Sequence, residues 1–407
     1  MKYGLVGEKL GHSFSKVIHE KIADYTYELT EIPKDDLDRF MRERDFLGIN
    51  VTVPYKSAVI PYLDYIDPFA EKIGAVNTIV NRDGRLYGYN TDFGGLRALT
   101  ERAEFDYKGK KVLILGSGGT SRTAKAVAES LGAGETVRVS RSGEVNYGNV
   151  YELHADTDFI INTTPVGMYP DTDGCAIDLC RFTQLSGVTD VVYNPLKTRL
   201  CLLAEDRGIR NINGLYMLVC QAVLACSLFT GKELPTEKIC DEIYSELLKE
   251  KQNIVLIGMP GSGKSTIGRA LAERLCTDFT DTDEIIASRY GNIADIFAEK
   301  GEKYFREAET QVIKEVSMLN GKVIATGGGA VLIKENVDVL RQNGKLFFLN
   351  RPLEDIIPTD DRPLSSDYEA LKKRFEERYD IYVSSADKEI YVDEDVDNIV
   401  SRILESL

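Results

Sequence analysis

The sequence predicts an α/β protein in three parts: a mixed α/β domain that would bind substrate, a Rossmann-like dinucleotide domain, and a P-loop α/β domain of the nucleoside-monophosphate-kinase type. Three stretches predict it. Residues 258–266 read G-M-P-G-S-G-K-S-T, after the apolar run 254–257 and before a helical stretch. Residues 116–122 read G-S-G-G-T-S-R, between the apolar strand 111–115 and a helix that reaches Leu131. Residues 48–56 read G-I-N-V-T-V-P-Y-K, a strand that Pro54 brings to an end. The boundaries expected from these signals are 1–103 for the first domain, completed by helices within 214–250, then 104–213 and 252–407.

The chain has 407 residues, 43% hydrophobic and 28% charged, enough for two or three cores. Its net charge of −15 argues against nucleic acid or an anionic membrane as partner. An anionic small substrate would have to be held by local cations. Seven cysteines, odd in number and without a C-x-x-C pair, fit free thiols in a reducing cytoplasm. Three histidines supply a His-based triad or metal cluster poorly. The first residues, M-K-Y-G-L-V-G-E-K, lack the apolar core of a signal peptide. The apolar stretch 215–229 is short, contains Gln221 and reads as a buried helix.

In chain order, 3–7 reads as a short buried strand. G-H-S-F-S-K at 11–16 is a polar turn opening a helix to Ala23, with Ser13 and Ser15 as candidate N-caps. Lys56 follows a strand end, where open α/β sheets place their sites, although alone it reads as a solvated lysine. G-A-V-N-T at 74–78 precedes a hairpin turn at Asp83-Gly84. G-Y-N-T-D-F-G-G at 88–95 enters a helix, with Asp92 near its N-terminus, where capping would suffice to explain it. Together H-S-x-S, N-V-T-V-P-x-K, G-A-V-N-T and G-x-N-T-D-x-x-G, in this order and spacing, resemble shikimate dehydrogenases. The resemblance implies that Lys56 and Asp92 form the catalytic pair. It also implies that Ser13, Ser15, Thr52, Asn77 and Asp92 hold the substrate. Lys16 stands where the family usually has proline.

The middle of the chain reads as a dinucleotide domain. After the buried strand 111–115, Gly116, Ser117, Gly118, Gly119 and Thr120 make a turn that lets backbone approach a pyrophosphate, with Ser121 in place of the third glycine. The next strand ends in Ser140-Arg141-Ser142. An acid at that place takes the ribose 2′-hydroxyl of NAD; Arg141 suits the 2′-phosphate, so NADP(H) is expected. I-I-N-T-T-P at 160–165 and D-V-V-Y-N-P at 190–195 read as two more strand ends with their loops. These and N-G-L-Y-M-L-V-C-Q at 213–221 also resemble the dehydrogenases. That implies Thr163, Val191 and Gly214 on the cofactor side and Tyr193 and Gln221 at the substrate. The resemblance covers 1 to about 249 and implies reduction of the ring ketone of 3-dehydroshikimate, with Lys56 and Asp92 bracketing the oxygen. Which of the two is the acid is left open. An amphipathic helix over 236–251, with Ile239, Ile243, Leu247 and Leu248 on one face, then leads to the next strand with almost no free linker.

In the last third, the backbone of Gly261, Ser262 and Gly263 turns toward phosphate, Lys264 can reach the outer phosphates, Ser265 can ligate Mg²⁺, and Thr266 completes the motif. Asp281 and Asp283, at i and i+2, point oppositely unless the chain bends. Arg306 has Glu309 one turn later, and 327–329 is a run of three glycines. Arg362-Pro363-Leu364 lies in a polar stretch that reads as a lid, and Arg378 sits with Tyr379 and Tyr382 late in a helix. Jointly these motifs resemble shikimate kinases across 253–407. The resemblance implies that Asp283 orients or deprotonates the 3-hydroxyl. Arg306 and Arg378 would clamp the shikimate carboxylate beside the Gly328 and Gly329 backbone. Lys264 and Arg362 would stabilise the transferring phosphoryl of ATP, while Ser265 and Asp281 (through water) hold Mg²⁺. The segment 349–362 is shorter than in that family, with Ile357-Pro358 where an arginine stacks on adenine.

The expectation is a cytoplasmic bifunctional enzyme of the shikimate pathway, acting on small molecules, in which the product of the first half feeds the second. A homo-oligomer is compatible with it. Two other readings were weighed against the residues. A shikimate- or quinate-sensing regulator could dispense with Lys56, Asp92, Lys264 and Asp283, and all four are present. An active dehydrogenase fused to a weak kinase is suggested by the short lid.

Overall fold

The computed structural model describes residues 2–11, 14–356 and 368–407. Ser13 and Arg362, both expected at sites, lie outside the described residues. The chain forms two compact units, Met1–Leu247 and Leu248–Leu407. The boundary falls inside the amphipathic helix Thr236–Lys251.

The first unit contains two sheets. One is mixed, ordered β2-β1-β3-β5-β6-β4, from β1 (Tyr3–Gly7), β2 (Tyr27–Glu31), β3 (Gly48–Val51), β4 (Tyr65–Ile66), β5 (Thr78–Arg82) and β6 (Arg85–Tyr89). β1 runs parallel to β2 and β3, and β5 is antiparallel to β3 and β6. The β5–β6 hairpin turns at Asp83 (φ +51°) and Gly84 (φ +81°), the pair of positive φ values that a two-residue type I′ loop requires.

The other sheet is all parallel, ordered β11-β10-β9-β7-β8, from β7 (Lys111–Leu115), β8 (Glu135–Val139), β9 (Phe159–Asn162), β10 (Gly187–Asp190) and β11 (Arg210–Ile212). Its strand order reverses between β7 and β9, the switch point at which open parallel sheets bind ligands. The glycine-rich turn follows β7 directly.

The helix Leu215–Thr230 then returns to pack on the helix Thr91–Arg102. Two glycines make that approach possible. A Cβ on Gly95 would stand 2.7 Å from the Met217 carbonyl oxygen, and one on Gly94 would overlap Leu224.

The second unit is a parallel sheet ordered β13-β14-β12-β15-β16, from β12 (Asn253–Ile257), β13 (Phe279–Asp281), β14 (Val323–Ala325), β15 (Gly344–Asn350) and β16 (Lys388–Tyr391). Its central strand shows why the apolar run is continuous: both faces are covered. Val255 and Ile257 pack with Val312, Ile313 and Leu340 on one face, and Ile254 and Leu256 pack with Ile267, Leu271 and Ile399 on the other. No helix among the described residues is long and apolar enough to cross a membrane.

One local expectation is corrected. The helix Ser15–Ile22 is entered through Phe14, and no side chain caps it, so Ser15 is its first residue and not its cap. On that helix His19 is fully buried, stacked on Tyr27 with ring centroids 4.0 Å apart, and its Nδ1 lies 2.7 Å from the Tyr25 hydroxyl. Its Nε2 is buried without a hydrogen-bond partner.

Burial pushes the imidazole pKa down to about 3 from the ordinary 6.5. The neutral ring is therefore favoured in the fold. Its contribution is complete above pH 6.5 and is lost as pH falls toward 3. At pH 5 the loss is about 2 kcal/mol. Urea unfolding read by hydrogen exchange in β1 and β2 should show a larger fall in midpoint from pH 7.5 to 5 for the native chain than for His19→Phe. Parallel falls would remove His19 from the account.

Candidate functional sites

In the first unit, a cavity of about 240 Å³ is lined by Ser15, Thr52, Lys56, Asn77, Asp92, Thr120, Val191, Tyr193, Gly214 and Gln221, residues that the sequence places at substrate or cofactor. Lys56 Nζ lies 2.5 Å from Asp92 Oδ2, with the two side chains 14% and 9% exposed. Asp92 does not cap its helix. Asn90 does so, its side chain accepting from the Phe93 N–H, which leaves both Asp92 oxygens for the cavity. Asn77 Nδ2 donates to Asp92 Oδ1 at 2.8 Å, and Asn77 Oδ1 accepts from the Thr91 N–H at 2.7 Å. Gln221 Nε2 donates to the Leu218 carbonyl, and Tyr193 packs edge-on against Phe14. Burial raises the Tyr193 phenol pKa.

The remaining dinucleotide signals cluster at the switch point, next to this cavity, whose wall Thr120, Val191 and Gly214 join. Gly116 (φ +121°) leaves a gap that a side chain would fill: its Cβ would stand 2.6 Å from Thr163 Oγ1. Gly118 precedes the helix Gly119–Ser130 and faces open space, and Ser121 Oγ donates to the Gly118 carbonyl at 2.8 Å. This is a backbone cradle at a helix N-terminus, suited to a pyrophosphate. Ser117 belongs to the same turn. Ser140 ends β8's extension, and Arg141 and Ser142 are exposed beyond it. Gly214 is obligatory where it stands, because a Cβ would overlap the Val191 carbonyl.

In the second unit, a cavity of about 560 Å³ is lined by Gly261, Gly263, Lys264, Ser265, Thr266, Asp281, Asp283, Arg306, Gly328, Gly329 and Arg378, among others. Ser262 is buried within the same loop and its Oγ has no partner. Gly258, Gly261 and Gly263 all have positive φ, so the loop takes a path that other residues would strain. Lys264 Nζ donates to the carbonyls of Gly258 and Met259 at 2.9 and 2.8 Å and so folds over the loop.

The chain does bend at the D-x-D motif. Asp281 Oδ1 caps the helix Thr282–Tyr290 by accepting from the Asp283 N–H, while its Oδ2 lies 2.6 Å from Ser265 Oγ. Both acids therefore face one cavity. The Ser265 hydroxyl and Asp281 carboxylate form an oxygen-donor pair of the kind that suits Mg²⁺ with its waters.

Arg306 pairs with Glu309 at 2.7 Å and Glu302 at 3.2 Å. Arg378 Nη1 donates to the Gly328 carbonyl at 3.1 Å, and the Tyr382 hydroxyl donates to the same oxygen. Gly329 has no room for a Cβ beside the Arg306 guanidinium. Glu309 is wholly buried, and burial raises its pKa against the opposing pull of Arg306.

Sequence reasoning missed three participants. Thr91 ties Asn77 in place. Arg122 crosses between the two sheets of the first unit. Arg351, just past β15, lines the phosphate cavity with a buried Nε that has no partner among the described residues, and its Nη1 is 3.8 Å from where a Cβ of Gly263 would be. Thr91 stood beside a residue that was read. Arg122 closes the glycine-rich phrase 116–122 with no role assigned to it there, and Arg351 carries no motif.

Three family models match: a shikimate dehydrogenase substrate-binding domain at residues 5–79, a shikimate 5′-dehydrogenase C-terminal domain at 214–239, and shikimate kinase at 260–407. Shikimate dehydrogenase (NADP(+)) of Clostridium perfringens strain SM101 is 39% identical over 267 residues, covering 60% of this chain and 97% of the relative. The crystal structure of shikimate dehydrogenase 1 from Peptoclostridium difficile is 35% identical with a TM-score of 0.57, covering 61% of this chain and 98% of that one. A chorismate mutase/shikimate 5-dehydrogenase fusion protein from Clostridium acetobutylicum is 34% identical with a TM-score of 0.56, covering 60% and 96%. The chain belongs to the shikimate dehydrogenase family and carries, fused behind that part, a shikimate kinase domain.

Proposed function

We propose that this is a bifunctional shikimate-pathway enzyme whose first unit reduces 3-dehydroshikimate with NADPH and whose second phosphorylates shikimate with ATP. The observation that carries it is the half-enclosed Lys56–Asp92 pair, in a chain whose last third holds a complete phosphate loop beside two converging arginines. The substrate belongs to 1–103 with the returning helix, the dinucleotide to 104–213, and ATP with shikimate to 252–407.

In the reductase, NADPH when bound supplies the hydride. Lys56 presents an ammonium donor to the oxygen that becomes the hydroxyl, and Asp92 fixes that donor in place. Asn77 holds Asp92, and Ser15, Thr52, Tyr193 and Gln221 supply neutral polar contacts to the ring substituents. In the kinase, ATP when bound supplies the phosphoryl group, with Mg²⁺ at Ser265 and Asp281. Asp283 accepts the proton of the attacking hydroxyl, Arg306 and Arg378 hold the carboxylate, and Lys264 turns from the loop carbonyls to the phosphates. All seven cysteines are free thiols, which supports a reducing, cytoplasmic setting.

A coupled assay with 3-dehydroshikimate, NADPH and Mg-ATP tests the reading, with oxidised cofactor and ADP scored separately. Both should appear. Lys56→Ala should lower reductase kcat by roughly 10²–10⁴ with a smaller change in KM and leave ADP release from added shikimate intact. Asp283→Asn should do the reverse. Loss of neither activity in its own variant would discard the assigned roles.

Arg141→Ala should reduce kcat/KM for NADPH by roughly 10- to 100-fold and leave that for NADH unchanged, since only the 2′-phosphate meets the guanidinium. Equal losses with both cofactors would count against Arg141 as the discriminating residue.

A further inference from the structure

We propose that Arg122 is a positioning residue of the reductase site, through which the dinucleotide turn and Lys56 are set together, so that NADPH and the cyclohexene substrate each favour the other's binding. The inference rests on the reading of Lys56 as the group that meets the substrate oxygen.

The first turn of the helix Gly119–Ser130 forms part of the pyrophosphate cradle. The same turn also touches Lys56, the residue after it, and the residue that caps the Asp92 helix. A Cβ on Gly119 would stand 3.3 Å from Lys56 Cβ and Cδ, so the lysine stem lies against this backbone. Thr120 Oγ1 accepts from Lys56 Nζ at 3.4 Å. Thr123 Oγ1 accepts at 3.2 Å from Asn90 Nδ2, and Asn90 caps the helix that bears Asp92.

Arg122 makes the broadest of these contacts. Its Nε donates to the Ile73 carbonyl at 3.1 Å. Its Nη2 donates to the Gly74 carbonyl at 3.0 Å and to the hydroxyl of Ser57, the residue after Lys56.

The chemistry explains why this place takes an arginine. Ile73 and Gly74 end the helix Pro68–Ile73, where carbonyls lack intrahelical partners and a cation is favoured. A planar fork can take two such carbonyls and a hydroxyl at fixed angles, whereas an ammonium cannot hold the same three in one plane. Among the described residues no carboxylate takes a hydrogen bond from Arg122, so the group acts by geometry between two parts of one unit. A turn that settles around pyrophosphate thereby settles the Lys56–Ser57 segment, and the converse holds by linkage.

The test measures NADPH affinity with and without saturating shikimate, a pair that binds together without reacting, beside kcat, in Arg122→Gln, Arg122→Lys and Ser57→Ala. The coupling factor is the same read from either ligand, and the shikimate site proposed in the second unit does not enter it. In the native chain shikimate should tighten NADPH binding by a factor of roughly 5–150. In Arg122→Gln the factor should fall toward one while NADPH alone still binds, and kcat should drop by roughly 10²-fold, as for a small misplacement of a reacting group. Arg122→Lys should recover part of both, and Ser57→Ala should lose part.

A factor of one in the native chain, or one unchanged in Arg122→Gln and Ser57→Ala, overturns the proposal. So does a kcat loss in Arg122→Gln that leaves the factor intact. If Arg122→Gln no longer binds NADPH at all, the Ser57→Ala result decides. A native chain that oxidises no NADPH with 3-dehydroshikimate would instead bring down the reductase reading.

Discussion

Two opposite charges 2.5 Å apart, nearly withdrawn from water, set the terms for the rest of the first unit. Taking Lys56 and Asp92 out of solvent costs several kcal/mol per ion, and their attraction offsets this only if the remaining lone pairs are filled. The fold fills them in sequence. Asp92 Oδ1 takes Asn77, Asn77 takes the Thr91 N–H, and Thr91 Oγ1 lies 2.9 Å from Thr78 Oγ1. Thr78 Oγ1 accepts from Asn50, and Asn50 Oδ1 accepts from the Tyr27 hydroxyl at 2.7 Å. A half-satisfied chain of this kind is worse than an apolar core, so each member constrains the next. The β3–β5 pairing that sets Asn50 opposite Thr78 is a condition for the Lys56–Asp92 geometry, and a one-residue slip would turn both side chains away.

That dependence marks where sequence reading stops. The phosphate loop, the glycine turn after β7, the hairpin at Asp83-Gly84 and the buried helix 215–230 were legible because each is local: an apolar run, a turn chemistry, a spacing. Lys56, Asp92, Asp283, Arg306 and Arg378 were legible because they sit inside recurrent phrases. Asn77 could be named, but its bond to Thr91 could not, because it joins a strand start to a helix start through the tertiary fold. Arg122 and Arg351 were invisible as participants. One crosses between sheets, the other follows an ordinary strand end, and neither stands in a phrase that assigns it a role. Ser15 shows the opposite error. A serine beside a helix start suggests a cap, yet the chain enters the helix through Phe14, and Ser15, its first residue, lines the cavity.

The second unit solves a related problem with a different arrangement. Arg306 lines the cavity from a partly enclosed wall, and Glu309, wholly buried, holds it there by a 2.7 Å ion pair. Glu309 Oε1 has no hydrogen-bond partner, and a Cβ on Gly327 would stand 2.7 Å from it and 2.6 Å from Asp283 Oδ1. The glycines at 327–329 are therefore required twice over. They let a ligand approach backbone, and they make room for two acids and a guanidinium that would otherwise collide with side chains. Burial raises the Glu309 pKa, the Asp283 carboxylate adds to that rise, and Arg306 and Arg378 oppose it.

The two cavities also differ in charge in a way that follows from what each must hold. Among the described residues, the reductase cavity is lined by one cation, Lys56, already matched by Asp92, and otherwise by neutral side chains and backbone. On the proposed reading, such a site would grip a monoanion by hydrogen bonds and release a product that differs from the substrate only in a ring ketone reduced to a hydroxyl. The kinase cavity is lined by Lys264, Arg306, Arg351, Arg374 and Arg378 against Asp281, Asp283 and Glu309, an excess of positive charge inside a chain of net charge −15. A polyphosphate and a carboxylate brought together repel each other, and only a local surplus of cations in a low-dielectric wall makes their approach favourable. On the proposed roles, the same carboxylate would be held by neutral contacts in one unit and by guanidinium groups in the other, because only in the second would it lie beside transferring phosphate.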